Sequence, residues 1–348
     1  MAIWIVVPVP RYWLLPLGVG APEVAPVLLV IALLLALRAF LARPVPRRLT
    51  GFLCIAAAAL FASPLARVYS TRHKFDVATA ALPGLPSRPE IEELSITRGV
   101  VFAEPAGQKL TLDLYRPVTE GLLPIVIQIY GGAWRSGGPE DDSRFASTIA
   151  RSGYLVVAID YRHAPQSRWP AQLDDVRAAV GWITSNAASY GGDAQKMALV
   201  GRSSGAQLAL VTAYTGGDQF AAVVSLYGPT DLAEGWRTPP SPDPLPVRPV
   251  LEALLGGTPA DVPQLYEAAS PVTYATGQVP PTLLIYGARD HIVESRFGRE
   301  LHSRLQASGA SSIFLEVPWA EHAFDVVPGL SYRLTLPYLE RFLAAHLR

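Results

Sequence analysis

A serine between two glycines is the part of this sequence whose residue types and spacing most clearly indicate chemistry. The pentapeptide Gly201-Arg202-Ser203-Ser204-Gly205 follows the short apolar run 197–200 and precedes an apolar stretch that starts at residue 206. This order predicts a strand, a sharp turn and a helix, with the Ser203 hydroxyl exposed at the turn. The glycines leave the space that such a reversal needs. The alternative is a chance match in a Gly-rich chain, and the flanking strand and helix argue against it.

A serine hydroxyl is a weak nucleophile at neutral pH, so it needs a general base that a carboxylate holds in place. Asp290 follows the predicted buried strand 282–286, and His322 follows the predicted strand 312–317. Because the carboxyl ends of parallel strands meet at one edge of a sheet, we expect both side chains to lie near Ser203. We therefore predict Ser203 as nucleophile, His322 as base and Asp290 as its partner.

The sequence leaves competitors for two of these roles. His163 also follows a buried strand, but its loop precedes the strand of the nucleophile, and His291 would point away from its neighbour Asp290. The carboxylates that compete with Asp290 are Glu294, Glu321 and Asp325.

A second loop of small residues, Tyr130-Gly131-Gly132-Ala133-Trp134, follows the apolar run 124–130. Such a loop can aim backbone N–H groups at a developing negative charge. We predict that the amides of Gly132, Ala133 and Ser204 form an oxyanion hole. An ordinary glycine turn would have the same composition.

Composition limits the classes of partner. Lys plus Arg number 29 and Asp plus Glu number 29, so the zero net charge gives no reason to expect a nucleic acid partner. Cys54 is the single cysteine, which excludes an intramolecular disulfide. No His, Cys or Asp cluster has metal-ligand spacing and no dinucleotide glycine fingerprint opens a helix, so we predict neither a metal nor a cofactor.

Residues 1–77 differ from the rest of the chain and are predicted to anchor it in a lipid bilayer. The runs 24–42 and 49–65 are nearly all apolar and about long enough to span the hydrocarbon core. Residues 3–17 are apolar but interrupted by prolines, which indicates an interfacial segment or a poor third span. A cleaved signal peptide is the alternative, but the better hydrophobic run starts too far from the N-terminus.

The arginines between the two runs bear on which side of a plasma or inner membrane the large domain lies. Arg43, Arg47 and Arg48 crowd this short loop, which predicts a cytoplasmic loop and a non-cytoplasmic catalytic domain. Arg67, Arg72 and Lys74 favour the opposite arrangement. Residues 78–90 are rich in Pro, Gly, Ala and Ser and are predicted to be a linker.

From residue 91 to residue 348, short buried strands alternate with amphipathic helices. This alternation predicts an α/β domain with a mostly parallel central sheet and helices on both faces. Residues 231–275 break the pattern with a proline-rich run and two short predicted helices, 251–255 and 263–269. We interpret them as a cap-like insertion over the site; a disordered surface loop is the alternative.

From about residue 91 to the C-terminus the sequence resembles the α/β-hydrolase carboxylesterases related to hormone-sensitive lipase. The resemblance depends on the serine pentapeptide and on three further motifs: Asp160-Tyr161-Arg162-His163-Ala164-Pro165, Asp290-His291-Ile292-Val293 and Glu321-His322-Ala323-Phe324. It implies the α/β-hydrolase fold, ester hydrolysis without a cofactor, and the same roles for Ser203, Asp290 and His322. One departure concerns the oxyanion loop, which usually reads His-Gly-Gly-Gly in that family but has Tyr130 and Ala133 here. Because of this departure, the resemblance does not predict the width of the acyl pocket.

We therefore expect a membrane-tethered serine carboxylesterase that hydrolyses small to medium esters through an acyl-enzyme. A peptidase or arylformamidase would use the same three residues on an amide bond. A non-catalytic membrane scaffold with a hydrolase fold is a third hypothesis. The sequence does not indicate an oligomeric state.

Overall fold

The computed structural model describes residues 1–41, 46–84 and 91–348. Arg43 of the predicted arginine-rich loop and residues 85–90 of the predicted linker lie outside these ranges, and so do the side chains of Arg47 and Arg48.

An eight-stranded sheet organises the domain, in the order β1-β2-β4-β3-β5-β6-β7-β8. Its strands are β1 Leu94–Ala103, β2 Leu110–Pro117, β3 Leu123–Ile129, β4 Leu155–Ile159, β5 Gly192–Arg202, β6 Ala222–Leu226, β7 Thr282–Gly287 and β8 Ser312–Val317. Strand β2 pairs antiparallel with β1 and β4, and every other neighbouring pair is parallel. The mostly parallel sheet that the sequence predicts is confirmed.

Burial explains why these segments are strands in this order. Every residue of β4, β6 and β7 is buried, as is typical of parallel strands covered on both faces. Strand β1, at the edge, is mostly exposed and alternates polar with apolar residues. Of the strands whose carboxyl ends carry the predicted site, β5 and β7 lie inside the sheet, whereas β8 forms its other edge and is partly buried.

Two groups of helices cover the sheet. The eleven α helices of the described chain are α1 Leu15–Glu23, α2 Ala25–Leu41, α3 Pro46–Ala78, α4 Ser143–Arg151, α5 Ala171–Asn186, α6 Ser204–Thr215, α7 Leu232–Arg237, α8 Val247–Leu255, α9 Pro263–Ala269, α10 Arg296–Ala307 and α11 Leu330–Leu347. Helix α5 packs on α6, and Ser152 beside α4 donates a hydrogen bond of 2.6 Å to Glu340 of α11. Helices α6 and α11 both pack on β5 and β6.

Residues 231–275 are ordered and contain α7, α8 and α9. The Trp236 indole donates to Glu252 at 2.8 Å and joins α7 to α8. The Gln207 amide of α6 donates to the carbonyl of Ala269 at 2.7 Å and fixes the end of α9. These bonds hold the insertion over the carboxyl edge of the sheet.

The N-terminal region differs in part from its prediction. The second apolar run is not confined to residues 49–65: α3 continues past Pro64 to Ala78, because residues beyond the run pack on the domain, with Phe75 in its core. Helix α2 follows α1 at a bend. The predicted segment 3–17 overlaps two 3-10 turns, Ala2–Ile5 and Tyr12–Leu14, and the start of α1. In the described chain, one helix, Leu49–Ala78, is long and apolar enough to cross a membrane. The pair Tyr12–Glu23 and Ala25–Leu41, bent by 79°, adds a second if it is one broken span.

The segments at both ends of this region pack on helix α11 of the domain. Glu23, at the end of α1, accepts hydrogen bonds from the backbone and the hydroxyl of Ser331. Tyr338 donates to Asp76 at 2.7 Å. The Arg341 guanidinium donates to the carbonyl of Pro83 at 2.8 Å and to that of Leu82.

Arg341→Ala removes the donors that hold residues 79–84 against α11. We expect the backbone amides of residues 79–84 to exchange with solvent about tenfold faster, since each bond involves a charged donor. Hydrogen exchange followed by mass spectrometry measures this. Arg304→Ala, which removes an exposed pair with Glu300 on α10, is the matched control and should leave the segment unchanged. Equal exchange in the two variants would contradict the packing role of Arg341.

Candidate active site

Ser203 lies in the turn between β5 and α6, in a backbone conformation that non-glycine residues rarely adopt. Its φ is 50° and its ψ is −122°. A Cβ at Gly205 would overlap the carbonyls of Ile129 and Tyr130, and one at Gly201 would overlap the backbone of Gly205. The turn therefore needs both glycines, and it presents the Ser203 side chain above the edge of the sheet.

The structure brings Ser203, His322 and Asp290 together from the ends of three strands. Ser203 Oγ lies 2.9 Å from His322 Nε2, and His322 Nδ1 lies 2.7 Å from Asp290 Oδ2. Asp290 and His322 are buried. These distances are those of a continuous hydrogen-bonded line from hydroxyl to imidazole to carboxylate.

Backbone donors fix the carboxylate of Asp290. Its Oδ1 accepts from the amides of Ile292 at 2.8 Å and Val293 at 2.7 Å, which leaves Oδ2 for His322. Burial raises the pKa of Asp290, while the charge and hydrogen bond of His322 act against that rise. The bonds to the carboxylate favour its ionised form.

The competing carboxylates have other partners. Glu321 accepts from His291 Nδ1 at 2.6 Å. Glu294 pairs with Arg296 at 2.8 Å, and Asp325 pairs with Arg202 at 2.7 Å. Among the competing histidines, His163 lies against Tyr130. Glu321 also accepts from the backbone N–H of His322 at 3.1 Å, but of the predicted candidates Asp290 is the carboxylate that contacts the His322 imidazole.

The loop after β3 carries the predicted amides of Gly132 and Ala133. The φ angles are 145° at Gly132 and 54° at Ala133, so Ala133 has a positive φ that its Cβ disfavours. Trp134 Nε1 donates to Gln207 Oε1 at 2.9 Å and pins this loop to α6. Within the described ranges, no acceptor bonds the backbone N–H of Gly132, Ala133 or Ser204. These donors are free to meet a ligand.

Tyr130, which stands where the resembling family has His, lies under this loop. Its hydroxyl donates to Asp160 Oδ1 at 2.6 Å and lies 2.8 Å from His163 Nε2. Its ring stacks on Tyr161 with centroids 4.4 Å apart. Burial raises the pKa of Tyr130, so the phenol stays neutral and donates. Sequence reasoning named Tyr130 and His163 but did not predict that they contact each other.

Sequence reasoning also missed a buried ion network behind the turn. Arg202 Nε lies 2.7 Å from Asp325, and its Nη1 lies 3.2 Å from Asp142. Tyr227 donates a short hydrogen bond to Asp325, and its ring lies 4.7 Å from that of His322. Burial alone would lower the pKa of Arg202, but the two carboxylates outweigh it and raise that pKa. The network keeps Arg202 charged and fixes the residue that directly precedes Ser203 in the turn.

Two cavities meet at Ser203. A pocket of about 60 Å³ is lined by apolar side chains of the insertion and its surroundings, among them Trp134, Leu232, Leu251 and Phe297. A wider cleft of about 660 Å³ is lined by His322 and by polar groups that include Asp141. The site therefore offers one narrow and one wide compartment, both lined by Ser203.

Comparison with known proteins identifies the family. A family model described as BD-FAE matches residues 112–305, which is more than half of the chain. The chain belongs to the BD-FAE family. That match includes Ser203 and Asp290 but ends before His322.

Curated relatives of this BD-FAE member carry esterase names. Esterase LipQ of Mycobacterium tuberculosis is 30% identical over 257 residues, which cover 69% of this chain and 60% of LipQ. The probable carboxylic ester hydrolase LipM of the same organism is 31% identical over 256 residues, 68% of this chain and 58% of LipM. This chain thus spans about three fifths of the length of these relatives.

Solved structures show the same fold. A bacterial heroin esterase matches with a TM-score of 0.63 and 23% identity, over 81% of this chain and 93% of that one. Carboxyl esterase 2 of the fungus Tuber melanosporum matches with a TM-score of 0.64 and 23% identity, over 80% of this chain and 99% of that one. At this identity the likeness establishes the α/β-hydrolase fold of this BD-FAE protein.

Arg202→Met removes the cation between two buried carboxylates. We expect a loss of about 3–5 kcal/mol in unfolding free energy, because Asp142 and Asp325 are left without their partner. In a domain of this size that loss lowers the melting temperature by roughly 10 °C, which scanning calorimetry measures. Arg177→Met, which removes a hydrogen bond between Arg177 and Thr215 that is exposed, is the matched control. A melting temperature equal to that of the control would show that the network adds little stability.

Proposed function

We propose that this BD-FAE protein is a membrane-anchored serine carboxylesterase that acts on carboxylic esters of small to medium size. The observation that supports the proposal most strongly is the hydrogen-bonded line from Ser203 through His322 to Asp290. The esterase names of LipQ and LipM agree with it. Each step needs only groups of this chain, the ester and water.

The first half-reaction transfers the acyl group to Ser203. Its Oγ attacks the ester carbonyl carbon as His322 Nε2 takes the hydroxyl proton. The carbonyl oxygen becomes an oxyanion that accepts hydrogen bonds from the amides of Gly132, Ala133 and Ser204. The carbon–oxygen bond to the alcohol then breaks, and His322 returns its proton to the departing alcohol.

The second half-reaction releases the acid. Water takes the place of the alcohol, His322 removes a proton from it, and the hydroxide attacks the acyl-enzyme carbonyl. The bond to Ser203 Oγ breaks and the serine regains a proton from His322. Asp290 accepts a hydrogen bond from Nδ1 throughout and stabilises the imidazolium that forms in each half.

The anchor is part of the proposal. Helix α3 has the length and composition of a span, and residues 24–42 supply the second predicted one. We propose residues 1–77 as the anchor, 78–90 as the linker and 91–348 as the catalytic domain, with 231–275 as its cap. The arginines of the predicted loop favour a catalytic domain on the non-cytoplasmic side of the membrane.

Ser203→Ala should abolish the hydrolysis of p-nitrophenyl acetate and the labelling by a fluorophosphonate probe, because both reactions need the hydroxyl. Release of p-nitrophenol and gel fluorescence measure the two. Ser303→Ala, on the exposed face of α10, is the matched control. Undiminished turnover in Ser203→Ala would end the proposal, and faster cleavage of an amide than of the ester with the same acyl group would change the reaction assigned.

Tyr130→Phe tests the support of the oxyanion loop. It removes the hydroxyl that bonds Asp160 and His163 but keeps the ring that stacks on Tyr161. We expect kcat for p-nitrophenyl acetate to fall about tenfold with little change in KM, because the loop amides shift relative to the oxyanion. Tyr190→Phe, at the opposite edge of the sheet before β5, is the control. A rise in KM with kcat unchanged would contradict a role in transition-state binding.

A further inference from the structure

Of the two cavities that meet at Ser203, one is lined by His322 and the other is not, and this difference decides how an ester is oriented. In the proposed reaction, His322 Nε2 must reach the oxygen of the departing alcohol to protonate it. His322 lines the wide cleft but not the narrow pocket. The alcohol part of the ester therefore belongs in the cleft of about 660 Å³, and the acyl part in the pocket of about 60 Å³.

One wall of the wide cleft comes from residues 2–23, which we call the N-terminal segment. Tyr12 and Leu15 line it, although they lie nearly two hundred positions before Ser203. Leu15 is buried and belongs to the main core of the domain, together with Val9 and Val19. Glu23 bonds the end of the same segment to Ser331. The segment is thus a fixed part of the cleft.

The same segment also packs on the apolar helices. Ile5 is buried in a small cluster with Ala58 and Phe61 of α3, in the predicted span 49–65. Apart from Arg11 and two prolines, the exposed side chains of this segment are large and apolar, and Tyr12 and Trp13 are 59% and 70% exposed. Exposed aromatic residues beside an apolar helix are typical of the boundary between lipid and water. One continuous segment therefore connects the predicted span with the mouth of the cleft.

The lining of the cleft matches an amphipathic group. Leu15, Leu245 and Ile292 provide apolar contacts, whereas Arg135 and Asp141 provide polar ones. A water-soluble alcohol of a few carbons would leave most of this volume empty. An alcohol with a polar head and a long apolar tail would use both kinds of lining, with its tail directed past Tyr12.

We propose that the substrate is an ester of a short carboxylic acid with an amphipathic lipid alcohol that resides in the bilayer. The alcohol part enters the wide cleft along the wall formed by Tyr12 and Leu15, and the short acyl part fills the narrow pocket. This inference rests on the proposed ester hydrolysis: it keeps a short acyl part and extends the alcohol part beyond the small to medium size proposed above. It assigns residues 2–23 a role in substrate access in addition to their place in the anchor.

Two acetates that differ only in the alcohol tail test the inference: 1-O-hexadecyl-2-O-acetylglycerol and 1-O-methyl-2-O-acetylglycerol. The full chain is reconstituted in vesicles of dialkyl ether phosphatidylcholine, which contain no other ester. Acetate release measures each rate at equal bulk concentration. We expect the hexadecyl compound to react at least about tenfold faster, since many methylene groups gain apolar contact.

Tyr12→Asp places a charge on the wall of the cleft. We expect the ratio of the hexadecyl to the methyl rate to fall about tenfold. Tyr69→Asp, on α3 at a side chain that is 84% exposed and does not line the cleft, places the same charge on the anchor and should keep the wild-type ratio.

The outcomes separate the inference from the function on which it rests. A wild-type ratio near one, or an equal fall in both variants, would overturn the lipid alcohol while ester hydrolysis stands. No acetate from either compound, together with no turnover of p-nitrophenyl acetate, would overturn the esterase proposal itself. A high wild-type ratio that only Tyr12→Asp lowers supports the inference.

Discussion

The site depends on the close approach of three backbone segments at the turn that carries Ser203. The carbonyls at the end of β3 lie against Gly205, and the start of α6 lies against Gly201, so neither position has room for a Cβ. This contact sets the Ser203 conformation and also places the loop with Gly132 beside the first turn of α6. The nucleophile and the amides that face it are therefore positioned by one packing constraint. The ion pairs of Arg202 with Asp142 and Asp325 fix the residue next to Ser203 in the same turn.

The division of the space around Ser203 follows from what covers the edge of the sheet. On one side the cap formed by α7 and α8 closes down to a narrow apolar pocket. On the other side the cover comes from the N-terminus, and the compartment stays wide and partly polar. His322 faces the second compartment, so the two compartments have different roles in the proposed reaction. The shape of both is set by segments outside the central sheet.

Much of the fold was predictable because its signals are local. Parallel strands such as β4 and β7 are short apolar runs, and Gly-x-Ser-x-Gly marks the turn directly. The sequence favoured Asp290 over Glu321 and Asp325 because Asp290 follows a buried strand, but which carboxylate contacts the His322 imidazole depends on contacts across the fold. Helix α4 was not predicted, although Phe145 and Ile149 have helical spacing. The extent of α3 and the docking of residues 1–23 could not be predicted, since an apolar stripe that meets lipid and one that meets protein have the same composition.

The packing of Val9, Leu15, Val19 and Phe75 into the main core has a practical meaning for anyone who prepares the protein. Cutting the chain at the proposed linker would uncover the surface that these side chains occupy. Ser331 and its neighbour Trp319, joined by a bond of 3.0 Å, would lose the covering that Glu23 provides. A protein shortened in this way would expose an apolar surface patch and tend to self-associate during purification. The whole polypeptide keeps the wall that Tyr12 and Leu15 give to the cleft.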